Sequence, residues 1–368
     1  MSLEALRARI AAADRALLDA WAEREAAVRA IGHFKAEWDI PIHDPVHEIP
    51  VIATARAGAA ARGLPPDAAE RVLRVVMETS RAQQEAIRVR ARHHGAGRKA
   101  LVIGGLGRMG RWFCRFLTDL AYEVTLADPA VSTEEPRAVR DWRDAHRSDW
   151  RVTVIATPIL ASARILEAME EREWPGLVFD IGSVKAPLLP GLRRLAARGV
   201  RVASVHPMFG PDVTHLHGRH ILVMDAGDAD AAGEAAALFQ DTMAEMLRLP
   251  LDEHDPLIAY VLGLSHALNL AFLDALRTSG EQAPRLARIS SVTFDRQLRV
   301  AASVSGENPH LYFEIQRLNP DGAHVLARLA GAVERLRDAV AEGEGETFRA
   351  LMESGRAWVE ARQPPGSR

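Results

Sequence analysis

Gly105-Leu106-Gly107-Arg108-Met109-Gly110 has the spacing G-x-G-x-x-G, and the chemistry it offers is phosphate binding. The first glycine permits a tight turn and the second lets backbone amides approach a pyrophosphate. The third packs a helix close to a strand. The apolar run Ala100-Leu101-Val102-Ile103 precedes this turn, and a helical pattern over residues 111–120 follows it. A strand pattern over residues 124–127 comes next and ends on Asp128, eighteen residues past Gly110. Strand, glycine turn, helix, strand and acid together predict a dinucleotide-binding unit. Gly105, Leu106, Gly107, Arg108, Met109 and Gly110 are its candidate cofactor contacts. Asp128 is placed to accept hydrogen bonds from the adenosine ribose hydroxyls. A carboxylate there repels a 2′-phosphate, so NAD is expected rather than NADP.

Two further segments carry reactive groups. Phe179-Asp180-Ile181-Gly182-Ser183-Val184-Lys185 ends one predicted strand, and Val205-His206-Pro207-Met208-Phe209-Gly210-Pro211-Asp212 ends another. Ligands bind outside the carboxyl ends of parallel strands, so Ser183, Lys185 and His206 can converge on the cofactor. A histidine at a strand end before a rigid proline suits a base poised near neutral pH, the alternative being a histidine that caps the strand. Neither His93-His94 nor the spacing of His215, His217 and His220 makes a metal site, and no metal is expected. The three later histidines are assigned to surface or packing.

The N-terminal segment carries charges where a core would want none. Positions 3, 10, 17, 24 and 31 form one heptad row, of which Leu3, Ile10, Leu17 and Ile31 are apolar and Arg24 is not. Lys35 lies three turns beyond Arg24 on nearly the same face. Cations on a core-facing row are costly unless an anion binds there. Asp44 and Glu48 share a helix face, as do Ser80 and Gln84. Ion pairing between helices is the alternative reading of these charges.

The elements that must position these groups divide the chain of 368 residues into three. Residues 1–93 read as three helices: the first over 1–37, the second from Asp44-Pro45 to about Gly63, the third from about Pro66 to Arg92. This is a thin core for a monomer, and dimerisation would supply the missing burial. Residues 99–251 alternate short apolar runs with helical patterns, which implies a mostly parallel sheet of Rossmann type. Residues 252–368 turn helical and are expected to serve as a substrate and dimerisation domain. The fold class is thus α plus α/β. A net charge of −3 gives no bulk attraction to nucleic acid or an anionic membrane. The single cysteine, Cys114, is read as core packing, and a reducing, cytoplasmic setting follows. No apolar stretch approaching eighteen residues is expected, and Met1-Ser2-Leu3-Glu4 starts no signal peptide.

Leu6-Arg7, Glu23-Arg24, Gly32-x-x-Lys35, Asp44-x-x-x-Glu48 and Ser80-x-x-x-Gln84 resemble the all-helical chorismate mutase family. The resemblance implies an intertwined dimer holding a dianionic substrate, with Arg7 donated by the partner and Arg24 and Lys35 as local cations. Glu48 and the Asp44 region would hold the substrate's 4-hydroxyl, and Gln84 would meet the ether oxygen. Catalysis would be electrostatic complementarity plus enforced conformation. His47 departs from the family, which usually has arginine there. The G-S-V-K and H-P-M-F-G-P-D segments resemble the prephenate dehydrogenase family, and mutase before dehydrogenase is the order of the bifunctional enzymes of tyrosine biosynthesis. This implies oxidative decarboxylation of prephenate with NAD, with His206 accepting the hydroxyl proton. His266 and Tyr312 match a histidine and an aromatic of the family's substrate domain. The family's ring-carboxylate arginine falls at Ser303 here, and Arg299 or Arg296 is expected to substitute. The same reactions on 4-amino-4-deoxy analogues are the enzymatic alternative, and an NAD-binding sensor or scaffold without turnover is the alternative of another class.

Overall fold

A computed structural model describes residues 2–43, 45–132, 137–145 and 149–361. They form two compact units: residues 1–182 with 188–251, and Ser183–Pro187 with Asp252–Arg368. The first two expected domains therefore form one unit, and the segment carrying Ser183 and Lys185 belongs to the other.

In the first unit, α1 (Leu3–Glu37), α2 (Pro45–Ala60) and α3 (Pro66–Arg92) precede the sheet. Ser2 caps α1 by accepting from the amide of Ala5 at 3.2 Å. Proline at its first position and a left-handed His93 bound α3. Helices α1 and α2 both pack on α3. Yet only Val28, Gly32 and Ala36 of α1 are buried, while Leu3, Ile10 and Leu17 are 62–64 % exposed. An apolar row standing in water is a surface without its cover.

The sheet has eight strands: β1 (Lys99–Ile103), β2 (Glu123–Ala127), β3 (Ala138–Val139), β4 (Trp150–Ile155), β5 (Leu177–Asp180), β6 (Val202–Pro207), β7 (His220–Asp225) and β8 (Glu245–Arg248), in the order β3-β2-β1-β4-β5-β6-β7-β8. All neighbours are parallel except β6 and β7. Chain order reverses at β1, which lies between β2 and β4, and this is the switch point where doubly wound sheets bind ligands. Helices α4 (Arg108–Asp119), α5 (Ile159–Met169), α6 (Leu189–Ala197) and α7 (Ala229–Ala237) connect the strands. The core gathers Val102, Val154, Phe179, Phe113 and Phe239, and Val89 of α3 joins it. Cys114 is partly buried in that core, and burial raises its thiol pKa to about 11, as its packing role requires.

The second unit is helical: α8 (Leu251–Ile258), a π-helical segment (Ala259–Leu264), α9 (Ser265–Thr278), α10 (Ala283–Arg288), α11 (Val292–Ser305), α12 (Pro309–Leu318), α13 (Gly322–Ala341) and α14 (Gly345–Ala361). The continuous run Leu251–Thr278 corrects the expectation about apolar stretches, since an eighteen-residue window in it reaches a mean hydropathy of 1.6. Its polar residues His254, Asp255, His266 and Asn269 are buried, as in a helix that packs against protein.

Candidate active sites

The glycine turn is built by close backbone approach. Gly104 has φ +84°, and a Cβ there would lie 2.6 Å from the Ala156 carbonyl oxygen on the adjoining β4 end. A Cβ on Gly110 would meet the Gly104 oxygen at 2.0 Å, so only glycine lets α4 start this close to β1. Gly107 caps α4 with no side chain in the way. Asp128 at the end of β2 accepts from the Leu106 amide at 3.2 Å and from the Ala130 amide at 3.0 Å. A cavity of about 640 Å³ opens here, lined by Gly104, Gly107, Asp128, Arg140, Arg143 and Thr157 among others. A switch-point cavity with a side-chain-free turn and an acid at its rim fits a dinucleotide. Of the other expected contacts, the Arg108 side chain pairs with Asp212 at 2.5 Å, and the Met109 side chain packs on the core.

His206 is buried near the end of β6, its backbone opposite Leu222 of β7. In the second unit, Lys185 is fully buried. Its amide and that of Ala186 donate to the two carboxylate oxygens of Asp255 at 2.8 and 2.7 Å. His254, also fully buried, meets the same carboxylate at 2.7 Å. Burial pushes the Asp255 pKa up, but the His254 contact and the two amides outweigh it and hold the carboxyl below its ordinary range. The Asn319 side chain donates to the Asp255 carbonyl at 2.8 Å. His254 and Asp255 thus position the segment carrying Ser183 and Lys185, a role invisible at 70 residues' separation. His266 stacks on Tyr312 with ring centroids 4.1 Å apart, and burial lowers its pKa. Its Nδ1 is buried without a partner among the described residues, as expected of a ligand-facing group. Gln297 of α11 donates to Asn269 at 2.9 Å. Arg296 and Arg299 are exposed, and Ser303 bonds its own helix, its hydroxyl donating to the Val300 carbonyl at 2.8 Å. By helical spacing Arg299 and Ser303 share a face turned from Gln297. Among the described residues of this unit, nothing brings either arginine to His266 and Tyr312.

In the helical region, α1 and α3 bring Arg24 onto the Ser80 hydroxyl, which also donates to Glu25 at 2.8 Å. The Lys35 ammonium donates to the Ile42 carbonyl at 2.9 Å. Gln84 Oε1 is buried and unpartnered among the described residues. Gln84 packs against Gly32, where an added Cβ would meet its Cγ at 3.4 Å. Glu48 pairs with Arg81 and lies 3.3 Å from His43. Burial raises its pKa, but Arg81 and His43 outweigh this and hold it low. Asp44 lies outside the described residues. Arg7 is exposed on α1. Seventeen residues of rise separate it from Arg24, about 25 Å along the helix. Glu85, buried beside Gln84 and without a local signal in the sequence, accepts from the amides of Leu216 and Met243 at 2.9 and 2.8 Å. That carboxylate fastens α3 to the nucleotide-binding part of the unit.

A switch-point cradle in a doubly wound sheet, with a helical region before it in the chain and a helical unit after it, defines a dinucleotide-binding protein with added helical parts. Residues 6–85 match chorismate mutase type II, residues 130–222 the nucleotide-binding domain of prephenate dehydrogenase, and residues 250–354 its dimerization domain. The chain belongs to the prephenate dehydrogenase family, with a chorismate mutase domain in front, and its two enzyme activities are an isomerase and an NAD-dependent oxidoreductase. It is 28 % identical over 361 residues to the T-protein of Enterobacter agglomerans, covering 97 % of this chain and 92 % of that one. It is 30 % identical over 279 residues to a 4-amino-4-deoxyprephenate dehydrogenase of Streptomyces pristinaespiralis, covering 69 % of this chain and 88 % of the relative. The fold is shared with an A. aeolicus prephenate dehydrogenase solved with hydroxyphenyl propionate and NAD+, at TM-score 0.58 and 18 % identity over 72 % of this chain and 98 % of that one.

Proposed function

We propose that this chain is a cytoplasmic homodimeric enzyme of tyrosine biosynthesis that rearranges chorismate to prephenate and converts prephenate to 4-hydroxyphenylpyruvate. The observation that carries the reading is the presence of both family patterns in one chain, 97 % of which aligns with 92 % of a T-protein. In the mutase site, Arg24 and Lys35 hold the substrate's carboxylates, Ser80 and Glu48 its polar substituents, and Gln84 its ether oxygen. No proton transfer is needed, so fixed charges and an enforced shape lower the barrier. Arg7 is too far from Arg24 along α1 to serve the same site, which supports its donation to a partner's site. The exposed row Leu3, Ile10 and Leu17 supplies a face for that partner.

In the dehydrogenase site, NAD when bound accepts the hydride, and loss of carbon dioxide leaves an aromatic ring. His206 holds the substrate's 4-hydroxyl and takes its proton. Ser183 and Lys185 are substrate contacts, and Asp255 fixes the backbone of Lys185 and Ala186. His266 and Tyr312 contact the substrate. The second reading replaces the 4-hydroxyl by a 4-amino group in both substrates. It is favoured by His47 and Ser303, which stand where the resembling families carry arginine, and by the 30 % identity to the Streptomyces enzyme. Side-by-side turnover of chorismate, prephenate and their 4-amino-4-deoxy analogues with NAD tests both. Turnover of the amino compounds alone would replace the first reading by the second.

A further inference from the structure

Helices α2 and α3 enclose a cavity of about 320 Å³ whose lining includes His43, Glu48, Ile52, Met77, Glu78 and Arg81. Glu48 and Arg81 line this cavity, and Glu48 is a proposed contact of the mutase substrate. Arg81 follows Ser80, which holds Arg24, and stands about 100° round α3 from it, one turn before Gln84. Its Nε lies 3.3 Å from Glu48 Oε1 and its Nη2 on Oε2, so one edge of the guanidinium grips the carboxylate. The two side chains are only 17 % and 23 % exposed. A guanidinium has five N–H donors, and this grip leaves the opposite edge available for a second planar anion.

Of the two arginines lining the cavity, Arg81 is the one left to meet an anion. Arg74, the other arginine of the cavity, is held by Glu70 through Nε and Nη2 at 2.9 and 2.6 Å. His43 faces Glu48, and the His217 ring lies 5.2 Å from that of His43. Burial and the nearby Arg81 both disfavour protonation of His217. Glu48 and Glu78 are the cavity's acids. A dianionic substrate approaching Glu48 without Arg81 would meet an uncompensated carboxylate, with repulsion that a half-buried site screens poorly. We propose that Arg81 is a substrate-contacting residue of the mutase site, binding a carboxylate of the dianion with one edge while the other holds Glu48. This rests on the chorismate reading given above.

The test uses the full-length protein and the variants Arg81→Leu and Arg81→Lys. Losing a bidentate charged contact made in both ground and transition states should raise the mutase KM roughly 30-fold or more in Arg81→Leu, with kcat less affected. Arg81→Lys, which keeps the charge but not the fork, should raise KM about tenfold and serves if the leucine variant does not fold. Dehydrogenase kcat and KM measured on prephenate should stay at wild-type values, showing that the unit is intact. A purely structural ion pair would instead lower the melting temperature and leave the mutase KM unchanged. Mutase KM unchanged in the folded variants overturns the assignment alone. Wild-type protein inert toward chorismate overturns the functional reading and this assignment with it.

Discussion

Asp255 carries no reacting atom, yet its removal should disable the dehydrogenase. Its carboxylate accepts from the amides of Lys185 and Ala186 at 2.8 and 2.7 Å and from His254 at 2.7 Å. Hydrogen bonds to a charged group contribute about 1.5–3 kcal/mol each, and an unpaired buried donor costs about 1–3 kcal/mol. Asp255→Ala orphans three donors, of which His254 is fully buried. Relaxation and entering water recover part of the loss, so the net cost is about 3–5 kcal/mol, as for breaking a buried pair. For a domain of this size that lowers the melting temperature by roughly 10–20 °C. Displacing Ser183 and Lys185 by about 1 Å should cost about 100-fold in dehydrogenase kcat/KM. Mutase kcat/KM should stay within threefold, because α1–α3 belong to the other compact unit. The pH dependence has a definite sign. The folded pKa of Asp255 is depressed, so its stabilisation is complete above the unfolded carboxyl value and is lost as pH falls through the folded one. The gap in stability between wild type and variant should hold at neutral pH and close only below about pH 4. Parallel melting curves and two-substrate kinetics measure all of this. A variant melting within 3 °C of wild type, by an order-of-magnitude criterion, with unchanged dehydrogenase kinetics would refute the reasoning.

Mixing inactive Arg7→Ala chains with inactive Arg24→Ala chains should restore part of the mutase activity through hybrid dimers. Well-mixed hybrids without activity would count against a shared site. His206→Asn should lower dehydrogenase turnover by about two to four orders of magnitude while leaving NAD affinity and mutase activity intact. Near wild-type turnover would make the residue structural. Asp128→Ser should shift cofactor preference toward NADP by about tenfold or more in kcat/KM, because the carboxylate that repels a 2′-phosphate is gone and Arg140 and Arg143 share the cavity. An unmoved preference would show that Asp128 does not read the ribose.

Local pattern determined much of this protein. The glycine turn, the acid ending β2 and the three N-terminal helices are each written within about 40 residues, because turn chemistry, capping and periodicity are local properties. Six strands were legible as apolar runs. Two were not: β3 is two residues long, and β8, Glu-Met-Leu-Arg, has a polar edge-strand composition. Antiparallel β7 among parallel strands had no sequence signal, since pairing direction is set by where the chain returns in space. The run Leu251–Thr278 does not read as one apolar stretch because buried His and Asn interrupt it. The same limit applies to the supporting groups. Glu85 meets amides 131 and 158 residues away, and Asp255 meets amides 70 and 69 residues away. Arg81 meets Glu48 across 33 residues. His217, read from sequence as surface or packing, lies against His43. A buried carboxylate or guanidinium is stable only with its partner present, and which partner it has is a fact of the folded chain. Sequence therefore named the residues whose chemistry is intrinsic to their type and local turn, while tertiary structure decided which distant groups hold them in place.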